Sequence, residues 1–317
     1  MKELVVISGK GGTGKTSIVG SLATLSNNKV LVDCDVDAAD LHLIIDSKVI
    51  QKEDFIGGKQ AFIDEKKCSN CGVCQNYCRF DAIKSTNKEG DDKFWIDPYV
   101  CDGCGVCVRH CPENAIEFND VISGEWYLSD SSHGPFVHAK LGIAQANSGK
   151  LVSLLRREAK QIAEEKEAEL IIVDGPPGIG CPVIASVTGA SYILIVTEPS
   201  MSAIHDMERL LQLVTHFGIF VGICINKFDI NQELTTQIEK FADEKNVKIL
   251  GRIPFDASVI NAQIAGTSIV AHEANEVSES IKKLWYNLKQ ELEDEKSTNS
   301  NIININLTNK TNNGVKK

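Results

Sequence analysis

No apolar run in this chain is long enough to cross a bilayer, and the first residues lead straight into a strand with no export signal before it. Membrane docking and secretion are therefore not expected, and the cytoplasm is the expected compartment. The chain also lacks a long cluster of lysine or arginine. Its 33 basic residues stand against 43 acidic ones, a net charge of −10, so nucleic acid is not expected as the main partner. Cysteine, by contrast, is abundant. Of the 11 cysteines, eight crowd into one short region. In a chain of 317 residues, which buries a core without covalent help, clustered thiols in a reducing compartment point to metal rather than to disulfides.

The rest of the chain is organised around Ser8-Gly9-Lys10-Gly11-Gly12-Thr13-Gly14-Lys15-Thr16-Ser17. An apolar run, Leu4 to Ile7, precedes it, and a segment with helical spacing (Ile18, Leu22, Leu25) follows. Strand, loop and helix start in that order distinguish a phosphate-binding loop from an ordinary glycine-rich turn. Glycines let several backbone N–H groups converge on an anion, and the helix start adds partial positive charge. Lys15 is expected to reach the β- and γ-phosphates and Thr16 to ligate Mg²⁺. The expected nucleotide contacts run from Gly9 to Ser17.

A second apolar strand, Lys29 to Val32, ends in Asp33-Cys34-Asp35-Val36-Asp37. Carboxylates there lie on the rim where open α/β sheets bind ligands, and one of them can orient water near a γ-phosphate. A purely structural acidic loop is the competing reading. Further on, Leu170 to Val173 is closed by Asp174, the pattern by which P-loop proteins hold the Mg²⁺ shell. Gly175-Pro176-Pro177-Gly178-Ile179-Gly180 continues it.

Between 60 and 120 the α/β rhythm breaks into a repeat offset by 33 residues. Cys68, Cys71, Cys74 and Cys78 are echoed by Cys101, Cys104, Cys107 and Cys111, both runs with 2-2-3 spacing. Phe62-Ile63-Asp64 is echoed by Trp95-Ile96-Asp97, and Asp81-Ala82-Ile83 by Asn114-Ala115-Ile116. Structural zinc also uses Cys-x2-Cys pairs, but four cysteines per run, twice, resemble a bacterial-type ferredoxin with two [4Fe–4S] clusters. The resemblance implies crossed ligation: Cys68, Cys71, Cys74 and Cys111 for one cluster, Cys101, Cys104, Cys107 and Cys78 for the other. Arg79 stands where the second run has Pro112, a departure that removes no ligand.

Lys10, early in the loop and additional to Lys15, together with Asp33-x-Asp35, resembles the deviant Walker A ATPases of the MinD, ParA, Mrp and nitrogenase iron protein type. That resemblance implies an ATP-sandwiched homodimer with Lys10 acting in trans, Asp35 positioning water, and switch II running on from Asp174. It also assigns Asn226 to the adenine edge, with backbone around Pro254 completing the base pocket. From spacing alone Asn226 reads equally as a turn residue. The implied catalytic set is Lys10, Lys15, Asp35 and Asp174, with Thr16 and Asp174 at the Mg²⁺.

The remaining segments are regular. Leu151 to Glu169 reads as an amphipathic helix, Tyr192 to Val196 and Ile219 to Ile225 as strands, Ile204 to Val214 and Val277 to Leu292 as helices. The Gly134 to His138 stretch resembles one that precedes the Walker B region in Mrp-like proteins, and His133 and His138 read as ordinary polar residues. Cys181 has the spacing of a cluster cysteine of the nitrogenase iron protein but no second candidate beside it. Cys34 and Cys224 read as core.

The expected architecture is α/β: a mostly parallel P-loop NTPase sheet flanked by helices, in two parts (1–59 and 121–296), with an inserted small α+β two-cluster ferredoxin domain (60–120). An Asn-rich tail (297–317) is expected to be disordered. The expected function is an ATPase, slow or partner-stimulated, whose nucleotide state is coupled to the clusters. It would serve electron transfer or redox-linked metallocofactor assembly with a protein partner. A Mrp-like carrier or scaffold is the alternative, and a ParA- or MinD-like spatial organiser with redox sensing a further one.

Overall fold

Apolar runs bounded by glycine, asparagine and proline become strands, and the amphipathic segments between them become helices laid on both faces of one sheet. The computed structural model describes residues 1–86, 92–142 and 148–294, and the tail expected to be disordered lies outside them. The elements are β1 (Lys2–Ser8), α1 (Lys15–Leu25), β2 (Lys29–Asp33), a short 3-10 turn (Leu41–Leu43), β3 (Ser47–Ile63), α2 (Val73–Tyr77), β4 (Ile83–Ser85), β5 (Phe94–Ile96), α3 (Val106–His110), β6 (Ile116–Ser131) and β7 (Phe136–Leu141). They continue with α4 (Ser148–Glu165), β8 (Leu170–Pro177), α5 (Cys181–Val187), β9 (Tyr192–Thr197), α6 (Met201–His216), β10 (Phe220–Asn226), α7 (Gln232–Glu244), β11 (Lys248–Ile253), α8 (Ser258–Ile264), α9 (Ile269–His272) and α10 (Glu276–Asp294).

The main sheet runs β11-β10-β9-β1-β8-β2-β7-β6-β3. Every pairing from β11 to β7 is parallel, and the last two are antiparallel. Alternate residues of β1 serve opposite faces, as strand geometry requires. Val5 and Ile7 pack with Leu151 and Leu155 of α4, Val183 of α5 and Met207 of α6 in one core layer. Leu4 and Val6 pack with Ile18 and Leu22 of α1 and Leu284 of α10 in the other. Burial on both faces explains why the central strands read as unbroken apolar runs.

β3 and β6 form a long antiparallel ribbon, paired from Ser47 opposite Ser131 to Ile63 opposite Ile116 with register shifts near Val49, Phe55 and Ile56. Its base pairs with β7, from Ser129 opposite Phe136 to Gly124 opposite Leu141. Its tip carries α2, β4, β5 and α3. The expected domain limits at 59/60 and 120/121 thus fall inside β3 and β6, because one pair of strands runs from the main sheet to the cysteine-bearing tip. The 33-residue repeat is visible in the backbone: Asp81 and Asn114, at equivalent positions, both adopt left-handed conformations (φ 52° and 49°). The Gly134 to His138 stretch enters β7, where His138 stacks on Phe136 and Tyr127. No helix among the described residues is long and apolar enough to cross a membrane.

Candidate functional site

The loop after β1 needs left-handed backbone at Gly12 (φ 79°) and Gly14 (φ 85°). At Gly14 a Cβ would also press on the Asn226 side-chain amide, which would have to swing away from the Thr13 carbonyl. Gly14 caps α1, whose first turn carries no acidic side chain. The helix's positive end is therefore uncompensated, the electrostatic condition for an anion site. Gly11 to Ser17 line a cleft of about 710 Å³ together with Asp35, Asp37, Pro176 and Pro177. Gly9 backs onto α6 instead, with a would-be Cβ 2.3 Å from Asp206 Cβ.

Within this cleft the Lys15 ammonium forms a buried ion pair with Asp174 Oδ1, the side chains 6% and 1% exposed. Asp33 lies directly across from Asp174 in the β2/β8 register. Its carboxylate accepts from the backbone N–H of Asp35 (3.0 Å) and of Leu41 (3.1 Å). Burial, reinforced by the charge of Asp174, pushes the Asp33 carboxyl well above its usual range. Burial also pushes Asp35 up to about 6, against the pull of Lys15. For Lys15 burial works against the charge, yet Asp174, Asp33 and Asp35 outweigh it and hold the ammonium above its ordinary value.

Three carboxylates thus share one lysine, and Asp174 Oδ2 is buried without a hydrogen-bond partner. That orphaned oxygen lies on the acid paired to Lys15, and Lys15 and its neighbour Thr16 both line the cleft; a carboxylate oxygen and a hydroxyl are hard donors that suit a divalent cation, so Asp174 and Thr16 are the residues that would hold Mg²⁺. A phosphate bound in the cleft would compete with Asp174 for the Lys15 ammonium.

Lys10 does not line the cleft. Its ammonium pairs with Glu198 Oε1 at 2.7 Å and donates to Ser200 Oγ at 3.0 Å. Lys227 pairs with the other oxygen, Glu198 Oε2, at 2.9 Å and donates to the Gly12 carbonyl at 3.0 Å. Asn226 donates from Nδ2 to the Thr13 carbonyl at 2.7 Å. Asn226 and Pro254 both line a second cavity, of about 210 Å³, with Val259, Gln263 and Ile269. Gln263, which donates to Ser17 Oγ at 2.7 Å, borders both this cavity and the cleft. Sequence reasoning missed Glu198 and Gln263. Glu198 stands one residue beyond β9, on the rim where the sheet binds ligands, and that position could have flagged it. Gln263 sits in a short helix and gives no such signal.

At the ribbon tip the cysteines fall into two groups. Cys68, Cys71, Cys74 and Cys111 line one cavity with Ile63, Phe94 and Ile116. Cys78, Cys101, Cys104 and Cys107 line another with Ala61, Ile83 and Ile96. The fourth cysteine of each run joins the first three of the other. Among the described residues no three His, Cys, Asp or Glu side chains converge closely enough for a single metal ion. Burial raises the thiols of Cys34, well above its usual range, and of Cys224, to about 12, so both stay protonated in the core. Cys181 is exposed at the start of α5.

The cleft and the ribbon tip are linked through α4. Gly149 packs on the Cys181 backbone, a would-be Cβ lying 3.4 Å from its carbonyl oxygen. The next residue, Lys150, donates to the Gly57 carbonyl of β3 at 3.4 Å. Two residues further along β3, Lys59 meets the second cysteine run, where a Cβ on Gly103 would stand 2.1 Å from the Lys59 carbonyl. α4 and α5 are tied by Arg156, which donates to the carbonyls of Ala185 (2.7 Å) and Thr188 (2.8 Å) and grips Glu3 at 2.6 and 2.8 Å.

Comparison with known proteins adds two kinds of likeness. The CbiA family, described as the CobQ/CobB/MinD/ParA nucleotide binding domain, matches residues 4–269. The uncharacterized protein MJ0578 of Methanocaldococcus jannaschii is 36% identical over 292 residues, which is 91% of this chain and 96% of that protein. Among solved structures, the septum site-determining protein MinD of Pyrococcus horikoshii complexed with Mg-ADP superposes with a TM-score of 0.55 at 16% identity, covering 91% of this chain and 96% of that one. The MinC:MinD cell division complex of Aquifex aeolicus gives 0.55 at 19%, covering 92% and 96%. At these identities the structural likeness speaks for the fold alone.

Proposed function

This chain belongs to the CobQ/CobB/MinD/ParA nucleotide-binding family of P-loop ATPases, and on that premise we propose a specific role for it. It is a Mg·ATP-dependent, dimer-forming ATPase whose nucleotide state acts on a two-cluster ferredoxin lobe, for gated electron transfer or redox-linked metallocofactor assembly. Lys15 and the loop amides hold the phosphates, Thr16 and Asp174 hold the cation, and Asp35 orients the attacking water. Asn226 and the backbone around Pro254 hold the base. Lys10 acts on the nucleotide of a second copy.

The ferredoxin half rests on the 2-2-3 spacing and on the two cavities, each lined by four cysteines in crossed grouping. Thiolates sharing one tetrahedral zinc stand about 3.8 Å apart, as a Zn–S distance of about 2.3 Å requires. A cubane needs them further apart. The doubled 2-2-3 spacing, with the fourth cysteine of each run lining the other run's cavity, is what favours cluster over zinc. When bound, such clusters supply one-electron transfer. The chain's own part is to set them against apolar side chains, Ile63, Phe94 and Ile116 beside one and Ile83 and Ile96 beside the other, with Cys71 and Cys104 at the surface.

The observation that carries the coupling is the contact route from Cys181 through Gly149 and Lys150 to Gly57, and from Lys59 to Gly103. It begins beside the segment that follows Asp174, where a γ-phosphate is sensed, and ends on the second cysteine run. Buried Arg156 makes α4 follow α5 when that segment moves. The test is to reduce the anaerobic protein, add Mg·ATP, and follow cluster EPR with a candidate apo-acceptor present. Retained clusters reoxidised only with ATP support gating, whereas iron lost to the acceptor supports a carrier. A second reading, a MinD- or ParA-like positioning ATPase in which the lobe senses redox state, draws on the MinD-like fold. It requires ATP-dependent binding to membrane or DNA, which co-sedimentation with vesicles or plasmid tests.

A further inference from the structure

Two lysines and one carboxylate meet behind the phosphate loop. Glu198, 17% exposed, gives Oε1 to Lys10 (2.7 Å) and Oε2 to Lys227 (2.9 Å). Ser200, the N-cap of α6, adds its hydroxyl to Lys10 at 3.0 Å. The two ammoniums are held differently. Lys227 also bonds the Gly12 carbonyl and so belongs to the loop's own scaffold. Lys10, 31% exposed, bonds only Glu198 and Ser200 among the contacts seen for its side chain, and both lie on the segment after β9.

We infer that Glu198 is the positioning residue for Lys10, holding the ammonium within its own subunit until a second copy's nucleotide takes it, while Lys227 remains to neutralise the carboxylate. This rests on the reading of Lys10 as a trans-acting group.

The arrangement suits a transfer. Burial works to raise the Glu198 carboxyl, but its bonds to the two lysines outweigh that and keep it below its usual range, so it is ionised at neutral pH. Removing Lys10 from an isolated pair would strand a half-buried charge. Here the carboxylate keeps one partner, so release costs only the exchange of one partly exposed pair. Such a pair is worth up to about a fivefold factor in an equilibrium. The contact is strong enough to bias where Lys10 rests and weak enough for a triphosphate to break. Dimer assembly then depends on Glu198 although Glu198 touches no nucleotide.

Two single variants test this with opposite expected signs. Glu198→Gln removes the charge that holds Lys10. Lys227→Gln removes the competing ammonium and leaves Lys10 as the carboxylate's sole partner. In nucleotide-free protein, the rate at which an amine-reactive reagent labels Lys10, read by mass spectrometry, should rise about threefold or more in E198Q and fall in K227Q. With Mg²⁺ and a non-hydrolysable ATP analogue, sedimentation should find half-dimerisation at an about three- to fivefold lower protein concentration in E198Q and at a higher one in K227Q. A merely structural role for either residue would weaken the dimer in both. Unchanged Lys10 labelling in E198Q, or shifts of the same sign in the two variants, would overturn the inference and leave the dimer reading intact. A wild-type chain that stays monomeric with the analogue overturns the dimer reading, and with it the release step, whatever the labelling shows.

Discussion

The ring of Tyr77 lies flat on that of His110, 3.9 Å between centroids and 4° from parallel. The two residues are equivalent positions of the 33-residue repeat, so the stack marks the approximate two-fold relation of its halves. Each is followed at once by the cysteine that crosses to the other group, Cys78 and Cys111. Exchange of fourth cysteines between runs is therefore built around a stacked aromatic pair, and this gives the first prediction. Cys111→Ser should cost the cluster at Cys68, Cys71 and Cys74 while sparing the other, so iron per chain falls by about half with one EPR signal retained. Loss of the signal from its own run instead would mean uncrossed ligation.

Arg156 is buried and makes two contacts to Glu3 and two to the end of α5. Arg156→Met leaves the Glu3 carboxylate with Lys160 at 3.3 Å as its remaining cation. Breaking a buried pair from one side costs about 3–5 kcal/mol. Urea unfolding should register a loss of that size, with the slope unchanged. A loss below about 1 kcal/mol would mean that Lys160 and water compensate for it.

His138 is packed between Phe136 and Tyr127, and its Nε2 lies 2.9 Å from Ser129 Oγ. Burial, helped by His42, lowers its pKa from 6.5 to about 4. The fold binds the neutral ring, so this contribution is complete above about 6.5 and is lost as pH falls through 4. Melting temperature should decline across that window, and His138→Phe should flatten the decline relative to the parent. An equal decline in both would assign the acid sensitivity elsewhere.

Asp35 is held up to about 6 by burial, with Asp174 adding to the push and Lys15 resisting it. A water-orienting carboxylate works when ionised, so kcat/KM for Mg·ATP, which reports the nucleotide-free enzyme, should fall about tenfold per pH unit below about 6. The sign for stability is the reverse, because a raised acid stabilises only below its unfolded value and loses that as pH rises through 6. Asp35→Asn should cut hydrolysis by about 10²-fold with nucleotide affinity retained. An unaltered rate would remove Asp35 from the chemistry.

The parts of this molecule that local chemistry dictates could be read in advance. The glycines of the loop let the chain turn between β1 and α1, Lys15 and Thr16 follow at the fixed spacing of a phosphate loop, and the apolar run from Leu170 to Val173 closed by Asp174 reads as a strand. The ribbon was not legible. Val49, Ile50, Ile56 and Ile122 are exposed, and the register shifts near Val49, Phe55 and Ile56, so neither strand shows the clean two-residue alternation that marks a half-buried sheet. Nor could the link through α4 be foreseen. It depends on Gly149, Gly57 and Gly103, residues whose contribution is close backbone approach and which carry no pattern of their own. The acidic segment after β2 leads along the chain into β3, yet the contacts toward the ribbon tip run from the start of α5.

The central claim is that occupancy of the nucleotide cleft is felt at the cysteine lobe. Spectroelectrochemical titration of the anaerobic, cluster-loaded protein with and without a saturating Mg·ATP analogue measures it most directly. A shift of about 60 mV or more in at least one midpoint, a tenfold change for a one-electron couple, is the predicted result. Superimposable titrations with the analogue demonstrably bound would contradict it.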